Sequence, residues 1–424
     1  MLVYTFRDRR VSPAPTRHFR FAAIGVFALA LSAAAAAQQP AQLVITNVRV
    51  FTGERSIERA TITVADGKIL RIAADSPANT GVAIDGAGKT ALPGLIDAHL
   101  HILAGTAGAT EDEVLTYIKD KLQDRMRSFL QNGVTTVKST GDPTDLILKI
   151  RRDLREGRLD GPRLLVVGPV FTAPGGHPFQ FCQGNAWCRS QLTIEVDSEQ
   201  DARRQVRRLA EAGVDAIKIV YQGTIEFRGA VLPKLRPDVM KAIIAEGRAL
   251  GLPVTVHVGD ESSALEVLAA GASGLEHVPV PLGSDAVAQA LKTPERFLVP
   301  TLAILAANNP ANLEVRSQAV AALYKAGVRI VVGTDTNRAM PPGQSTVREV
   351  ELLVKAGLSP EAALKAATSV AARHLGLEKE IGTLGAGMMA DILLVRGNPL
   401  ENIADLRQVD AVVQGGKVVF RPSR

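Results

Sequence analysis

The chain has 424 residues, of which 46% are hydrophobic and 4% aromatic, so it can bury a large core made mainly of aliphatic side chains. Its formal net charge is +6, but residues 1–37 hold most of that excess, and the remainder carries only about +2. This weak charge excludes an extended nucleic-acid-binding surface, and we expect no nucleic-acid partner.

The N-terminus has the features of an export signal. A basic region ends at Arg20, an apolar run extends over residues 21–31, and the alanines at 35–37 fit a cleavage site of small residues. The apolar run is short for a membrane span, although an uncleaved anchor is the alternative. We therefore predict a signal peptide over residues 1–37. The mature protein is expected to be periplasmic or secreted, without membrane contact after cleavage.

Short strands are predicted near both ends of the chain. They are Leu43–Phe51, Thr61–Val64 and Ile69–Ile72 on one side, and Ala390–Val395, Val409–Gln414 and Lys417–Phe420 on the other. The ends of a domain commonly lie close together, so the two groups can share a sheet. We predict one small β-sandwich built from residues 38–93 and 380–424.

The middle of the chain, residues 94–379, alternates predicted strands with helical patterns. The strands are Leu95–His101, Val134–Ser139, Arg163–Val167, Ala216–Val220, Pro253–Val258, Gly274–Val278, Phe297–Thr301 and Ile330–Gly333. The helices include Asp112–Leu130, Glu199–Ala212, Pro237–Leu250 and Leu313–Ala326. The pattern predicts an α/β fold with a TIM (β/α)8 barrel. An open doubly wound sheet is less favoured because no glycine-rich phosphate turn follows an early strand.

Metal-ligand residue types occur at the predicted carboxyl ends of the barrel strands, where barrels carry their active sites. His99 and His101 are two residues apart, so they share one face of the first strand. The fifth and sixth strands end in His257 and His277, and the eighth ends in Asp335. One such histidine is more often a core residue, and an aspartate can simply cap a helix. All five together predict a metal site.

Lys218 lies within the predicted fourth strand, among apolar residues. Burial lowers the pKa of a lysine, so a neutral amine becomes available to add carbon dioxide. The resulting carbamate has two oxygens that can bridge two metals. The alternative is an ion pair with a carboxylate such as Glu276. The nearby histidines favour the carbamate.

The chain has two cysteines, Cys182 and Cys188. In an exported protein, a pair this close in sequence is favoured to form a disulfide within a loop. The alternatives are a thiol pair that binds metal or two free thiols.

These residues together resemble the amidohydrolase superfamily, in its binuclear branch with a carbamylated lysine. The resemblance covers nearly the whole predicted mature chain and is nearest to the imidazolonepropionase-like and Xaa-Pro-dipeptidase-like hydrolases. Besides the single residues already named, it rests on segments 93–101, 133–137, 299–302, 333–336 and 382–391.

The resemblance implies two divalent metal ions, expected to be zinc. The implied ligands are His99, His101 and Asp335 for the more buried ion, His257 and His277 for the second, and carbamylated Lys218 as the bridge. A hydroxide shared by the two ions would attack the substrate carbonyl, with Asp335 carrying the proton to the leaving amine. A small-molecule or dipeptide substrate and a homo-oligomer are also implied.

Two further residues are candidates for substrate contacts. His177 is predicted to hydrogen-bond the substrate carbonyl, and Tyr221 is predicted to hold a substrate α-carboxylate, as the resemblance implies. A turn histidine and a packing tyrosine are equally compatible with the sequence. The aromatic residues of the loop 171–188 predict an apolar pocket.

The sequence thus predicts a metal-dependent hydrolase that cleaves an amide bond in a peptide or an N-acyl amino acid. One alternative is a mononuclear cyclic-amide hydrolase or deaminase, although such relatives commonly carry glutamate where this chain has Asp260. A lactonase or organophosphate esterase is another. A non-catalytic exported binding protein is the last, and the complete ligand set disfavours it.

Overall fold

The computed structural model describes residues 43–74, 82–104, 108–225, 230–282 and 285–423, so the predicted signal peptide lies outside the described residues. None of the helices in these ranges is both long enough and apolar enough to cross a bilayer. The strands are β1 (Leu43–Phe51), β2 (Ser56–Ala65), β3 (Lys68–Ala73), β4 (Val82–Asp85), β5 (Lys89–Pro93), β6 (Leu95–Leu100), β7 (Val134–Thr140), β8 (Arg163–Gly168), β9 (Val170–Thr172), β10 (Thr193–Glu195), β11 (Ile217–Val220), β12 (Thr224–Ile225), β13 (Ala230–Val231), β14 (Val254–His257), β15 (Gly274–Glu276), β16 (Phe297–Val299), β17 (Ile392–Arg396), β18 (Val409–Gln414) and β19 (Lys417–Phe420).

The helices are α1 (Glu111–Asp120), α2 (Leu122–Gln131), α3 (Thr144–Arg155), α4 (Ala186–Leu192), α5 (Glu199–Ala212), α6 (Pro237–Ala249), α7 (Glu261–Ala269), α8 (Ala286–Leu291), α9 (Leu302–Asn308), α10 (Leu313–Lys325), α11 (Gln344–Lys355), α12 (Pro360–Ala366) and α13 (Ser369–His374).

Strands from both ends of the chain form one eight-stranded sheet. Its order is β19-β18-β17-β5-β1-β2-β3, and β4 also pairs with β1. The two ends meet where β5 and β17 run antiparallel, with Ile392 opposite Pro93. Its core is aliphatic throughout, with Ile45, Ile62 and Ile392 fully buried. This sheet confirms the predicted small β-sandwich built from both chain ends.

The parallel strands of the middle region close into a barrel. One group is β6-β7-β8 and the other contains β9, β11, β14, β15 and β16. The amide of Asp215, before β11, donates to the carbonyl of Val166 in β8 and connects the two groups. Parallel bridges at Ile330 and Thr336 place the segment 330–336 between β16 and β6. The predicted (β/α)8 barrel is therefore confirmed, and its eighth strand pairs only through these isolated bridges.

The helix predicted over Asp112–Leu130 is instead two helices, α1 and α2. The break falls at Lys121, whose φ of −128° is not helical. Helix α1 buries only Val114, whereas α2 buries most of one face, including Met126 and Phe129. The non-helical Lys121 therefore separates a mostly exposed first helix from a second helix that packs against β7 of the barrel.

Candidate metal centre

Seven of the predicted site residues line one cavity of about 610 Å³ at the carboxyl ends of the barrel strands. They are His99, His101, His177, Lys218, His257, His277 and Asp335. Because all barrel strands are parallel, their carboxyl ends open on the same face, so residues far apart in sequence converge there. Tyr221 is not among the residues that line this cavity.

The pairing of His101 with Asp335 is the most informative contact of the site. The Nδ1 atom of His101 lies 2.5 Å from the carbonyl oxygen of Thr140, which only accepts, so Nδ1 carries a proton. Its Nε2 atom lies 2.8 Å from Oδ1 of Asp335. In a neutral ring with its proton on Nδ1, Nε2 carries a lone pair, and this lone pair faces a carboxylate oxygen. Two electron-rich atoms at this distance repel each other unless a cation lies between them. A second proton or a metal ion meets this requirement, so the geometry fits a metal site.

The pKa directions of this pair agree with that description. Burial opposes ionisation of Asp335, but hydrogen bonds from His101 and His99 hold the pKa of its carboxyl well below the ordinary value. Burial by itself would lower the pKa of His101, yet the hydrogen bond and negative charge of Asp335 outweigh it and raise that pKa. Asp335 is therefore an anion at neutral pH, as a metal ligand must be.

The remaining imidazoles are neutral, which metal ligation requires. Burial lowers the pKa of His99 to about 3, with the nearby Lys218 adding to the effect. Burial also lowers the pKa values of His257 and His277 well below the ordinary value. These rings therefore offer lone pairs at neutral pH.

The candidate ligand atoms lie close together. The donor atoms of His99, His277 and Asp335 all lie within 4.8 Å of one another. The rings of His257 and His277 have centroids 4.3 Å apart. Imidazole nitrogens together with a carboxylate oxygen are the donor set that suits zinc, and manganese or cobalt can also use it.

Neighbouring polar groups fix two of the rings. Nδ1 of His277 lies 2.7 Å from the hydroxyl oxygen of Thr301, which leaves Nε2 for another partner. Nε2 of His257 lies 2.6 Å from Oε1 of Gln222. Such contacts set the tautomer and orientation of a ligating histidine. Thr301 belongs to the segment 299–302 that contributes to the family resemblance, whereas Gln222 was not singled out because nothing local distinguishes it.

Lys218 is fully enclosed, and its amine contacts Oε2 of Glu276. The structure therefore contains the ion pair that the sequence left as the alternative for this lysine. Burial lowers the pKa of Lys218 well below the ordinary value, and the positive charge of Lys138 adds to the shift. A lowered pKa favours the neutral amine that carbamylation needs.

Lys138, in β7, is a second buried lysine that the sequence analysis missed. Its amine donates to Oε1 of Glu276 at 3.1 Å and lies 3.3 Å from Nε2 of His374. Glu276 also accepts from the hydroxyl of Thr255 at 2.8 Å. Burial lowers the pKa of Lys138 to about 7. The signal that identified Lys218, a lysine inside a predicted barrel strand, applies equally to Lys138.

The outer wall of the cavity is apolar. Phe181, Leu192 and Ile304 line it, together with Val170, Pro178 and Val220. The structure joins Cys182 and Cys188 in a disulfide with Cα atoms 5.4 Å apart, and Cys188 also lines the cavity. The loop that carries the disulfide therefore forms part of the cavity wall.

The two predicted substrate contacts lie in different environments. His177 lines the cavity, with its ring centroid 5.0 Å from that of His257, and Nδ1 faces Nε2 of Gln180 at 2.7 Å. Tyr221 instead directs its hydroxyl to a carboxylate oxygen of Glu266, and the amine of Lys234 lies 4.0 Å from its ring centroid. The structure thus brings His177 to the metal-ligand cluster and leaves Tyr221 outside the cavity wall.

Comparison with known proteins bears on what this site is. The chain is similar to the ochratoxinase of Aspergillus niger, with 26% identity over 378 residues, covering 78% of this chain and 76% of that protein. It is similar to the imidazolonepropionase of Shouchella clausii strain KSM-K16, with 26% identity over 419 residues and 86% of each protein covered.

Among solved structures, a Xaa-Pro dipeptidase with bound methionine has the same fold, with a TM-score of 0.77 and 22% identity, and the match covers 90% of this chain and 100% of that chain. A model of the amidohydrolase family matches residues 90–419, a range that includes every strand contributing to the cavity. The chain therefore belongs to the amidohydrolase family.

Proposed function

We propose that this protein hydrolyses an amide bond in a dipeptide or an N-acyl amino acid, using two divalent metal ions. The observation that carries the proposal is the convergence of four histidines, Asp335 and a buried lysine on one cavity. Membership of the amidohydrolase family supports the reaction class. The name of one similar structure, a Xaa-Pro dipeptidase, supports an amide rather than an ester substrate.

The chain offers enough ligands for two ions. His99, His101 and Asp335 would hold the more buried one, and His257 and His277 the other. Bound divalent ions, most simply zinc, would supply Lewis-acid activation of water and of the substrate carbonyl.

Lys218 would become the bridging ligand after carbamylation. Its neutral amine forms a nitrogen–carbon bond to carbon dioxide, and one amine proton leaves to solvent, so the product is an anion with two oxygens. The lowered pKa of Lys218 supports this step, since a protonated amine has no lone pair to donate. Glu276, which contacts the amine, would have to release it for the carbamate to form.

Two residues would act directly on the substrate. Asp335, as an ionised carboxylate, would take a proton from the attacking water and deliver it to the leaving nitrogen as the carbon–nitrogen bond breaks. With Gln180 donating to Nδ1 of His177, the ring proton is on Nε2. His177 could then donate to the carbonyl oxygen as negative charge develops there.

The cavity wall favours a substrate with an apolar group beside the amide. Phe181, Leu192 and Ile304 would contact that group and exclude water from it. We therefore expect N-acyl amino acids and dipeptides with large apolar side chains to be better substrates than small polar ones.

Metal content per chain tests this proposal. Elemental analysis of protein purified without chelator, with bicarbonate present, should give about two ions per chain. Lys218→Met should lose the bridge and most amidase activity, while the surface variant Lys365→Met serves as a matched control and should keep both. Full activity and full metal content in Lys218→Met would contradict the binuclear proposal.

One observation favours a second candidate, a mononuclear cyclic-amide hydrolase or deaminase. The donor atoms of His99, His277 and Asp335 form a tight group of three, whereas His257 is engaged by Gln222. The similarity to an imidazolonepropionase agrees with this candidate. One ion per chain, with turnover of cyclic amides and none of dipeptides, would establish it over the binuclear proposal.

We also propose that the protein is exported, on the basis of the signal-like residues 1–37. Expression in a bacterial host followed by fractionation and N-terminal sequencing tests this directly. A mature N-terminus at Gln38 is expected, and an intact N-terminus in the cytoplasmic fraction would contradict it.

A further inference from the structure

A second cavity, of about 660 Å³, lies between α1, α2 and the segment that precedes α11. Its charged and aromatic lining consists of Tyr117, Lys121, Asp124, Arg125 and Arg338. It shares no lining residue with the histidine-lined cavity. Three of its four charged residues are cations, so it is an electropositive pocket distinct from the metal centre.

Four polar atoms of residues that line this cavity are buried and have no hydrogen-bond partner within the described ranges of the chain. They are Oη of Tyr117, Nε of Arg125, and Nε and Nη2 of Arg338. Arg125 is only 8% exposed, although its other nitrogens donate to the carbonyls of Met340 and Asn337. Buried polar groups are almost always paired, so four such atoms around one pocket require an explanation.

The geometry of Arg338 indicates what would pair with them. Nε and Nη2 are the two donors on one edge of a guanidinium, and this edge binds the two oxygens of a carboxylate or phosphate in parallel. The guanidinium carbon of Arg338 lies 5.1 Å from the ring centroid of Tyr117, so a phenolic donor belongs to the same cluster. All four atoms are donors or, for the phenol, can donate.

Among the described residues, no carboxylate accepts from Nε or Nη2 of Arg338, and this includes Asp124 in the lining of the same pocket. The acidic groups whose charges act on Arg338 are Asp142 and Glu113. Asp142 accepts from the backbone amides of residues 102–104 and from Ser139. Glu113 accepts from the amide of Thr110 in the capping box of α1. Both carboxylates are therefore already used by other donors.

We propose that Arg338, Arg125 and Tyr117 form a binding site for a small oxyanion, either a carboxylate or a phosphate, that is separate from the metal centre. Lys121 adds positive charge at the same pocket. The anion would complete the unpaired donors and hold the segment 337–340 against α1 and α2. Asn337 lines the histidine-lined cavity, and the next residue, Arg338, lines the second cavity. Binding of an anion at Arg338 would therefore also affect the wall of the histidine-lined cavity.

The test measures stability and therefore does not depend on the catalytic proposal. The melting temperature of the purified full-length protein is recorded against inorganic phosphate and, separately, acetate, with chloride keeping the ionic strength constant. A ligand that binds only the folded state raises the melting temperature with a saturable dependence on concentration. Saturation with phosphate alone assigns a phosphate group, and saturation with acetate alone assigns a carboxylate; either result supports the site.

The matched variants are Arg338→Gln and Arg127→Gln. Arg127 is also on this side of the molecule, in α2, but its guanidinium pairs with Asp160 on the surface, so its loss removes the same charge without touching the pocket. Arg338→Gln should require at least about tenfold more anion for the same shift, because a charge-assisted pair is lost. Arg127→Gln should respond like the wild type.

Tyr117→Phe provides a second variant that retains the ring and removes one donor. It should weaken the response by about threefold, the loss expected for one neutral hydrogen bond. Equal responses in wild type, Arg338→Gln and Tyr117→Phe would place the anion elsewhere, for example at the histidine cluster, and would overturn the proposal. The absence of saturable stabilisation by both anions in the wild type would overturn it as well.

Discussion

The sandwich and the barrel are both built from buried strands, yet their interiors differ in composition. The sandwich core consists of aliphatic side chains such as Ile45, Ile62 and Ile392. The barrel interior instead buries a connected set of charged groups near its carboxyl end, Lys138, Lys218 and Glu276, and Glu349 of α11 is also fully buried. Buried ionisable groups rarely improve stability over apolar ones of the same size. The difference indicates that the sandwich mainly stabilises the fold, whereas the polar groups at the carboxyl end of the barrel are kept for chemistry in the cavity.

The largest effect expected from this division is at Asp335. Asp335→Asn removes the anion that faces His101 and the group that would carry the proton, so kcat should fall by about 10²–10⁴-fold. Steady-state kinetics per folded molecule, with circular dichroism to verify folding, measures this. A variant that retains more than a tenth of the wild-type kcat would show that the polar end of the barrel is not the catalytic centre.

The sandwich should respond in the opposite way. Ile392→Ala removes a fully buried side chain from its core, and the free energy of unfolding should fall by about 2–5 kcal/mol. The kcat of the folded fraction should not change. Urea unfolding together with kinetics below the transition measures both. The exposed β19 variant Val419→Ala is the control and should change stability by less than about 0.5 kcal/mol. A lower kcat in folded Ile392→Ala would show that the sandwich core also affects catalysis and that the two regions do not have separate roles.

A third prediction concerns Glu349, which is fully buried in α11. Its carboxylate accepts from the amides of Leu302 and Ala303, but burial outweighs these bonds and raises the pKa to about 8. The folded protein therefore holds the proton more tightly than the unfolded chain, whose glutamate titrates near its ordinary value. The stabilising contribution is complete below the unfolded pKa and is lost as the pH rises towards and through 8.

Glu349→Gln removes this dependence because glutamine does not titrate. Between pH 5 and 8 the free energy of unfolding of the wild type should fall relative to the variant by about 1.4 kcal/mol per pH unit. Urea unfolding of both proteins at pH 5.5, 6.5 and 7.5 gives the slope. If the free energies of unfolding of the two proteins change in parallel with pH, Glu349 is ionised in the folded protein. Burying this carboxyl would then cost less stability than expected.

The smallest effect is expected at the cavity wall. Phe181 lines the cavity but is 43% exposed, so Phe181→Ala loses only part of an apolar contact. KM for amides with large apolar groups should rise about threefold to tenfold, with little change in kcat. Substrates with small side chains provide the control. An equal rise in KM for small and large substrates would mean that Phe181 does not contact the apolar group.

The sequence was most informative where strands are fully buried. Runs of β-branched and aliphatic residues predicted seven barrel strands closely and the largely buried β1 to the residue. Strands β18 and β19 were predicted to the residue as well, although β19 is mostly exposed. The eighth strand is different: the segment 330–336 approaches β6 so closely that a Cβ at Gly333 would lie 2.8 Å from Cβ of His99. A regular ladder does not form there, and no local pattern shows this.

The candidate site was predictable only in part. The metal-ligand residue types end their strands, so their sequence positions located the cavity. The groups that contact their rings, such as Thr301 for His277 and Glu276 for His99, lie at the ends of other strands, so these pairings cannot be predicted from local sequence. Tyr221 is the converse case, because its position near Lys218 suggested a substrate contact, while its hydroxyl points to Glu266. The role predicted for Tyr221 therefore stays a prediction.

Three residues at adjacent strand ends, His277, Thr301 and Asp335, adopt left-handed backbone conformations with φ values of 68°, 55° and 56°. Glycine would adopt each of them without the steric cost, roughly 1 kcal/mol per residue, that a side chain incurs. A search for thermostable variants would therefore be drawn to glycine at these three positions. Each such gain would delete an imidazole or a carboxylate that lines the cavity, or the hydroxyl that contacts Nδ1 of His277, so directed evolution for heat resistance and for turnover should diverge at these three codons.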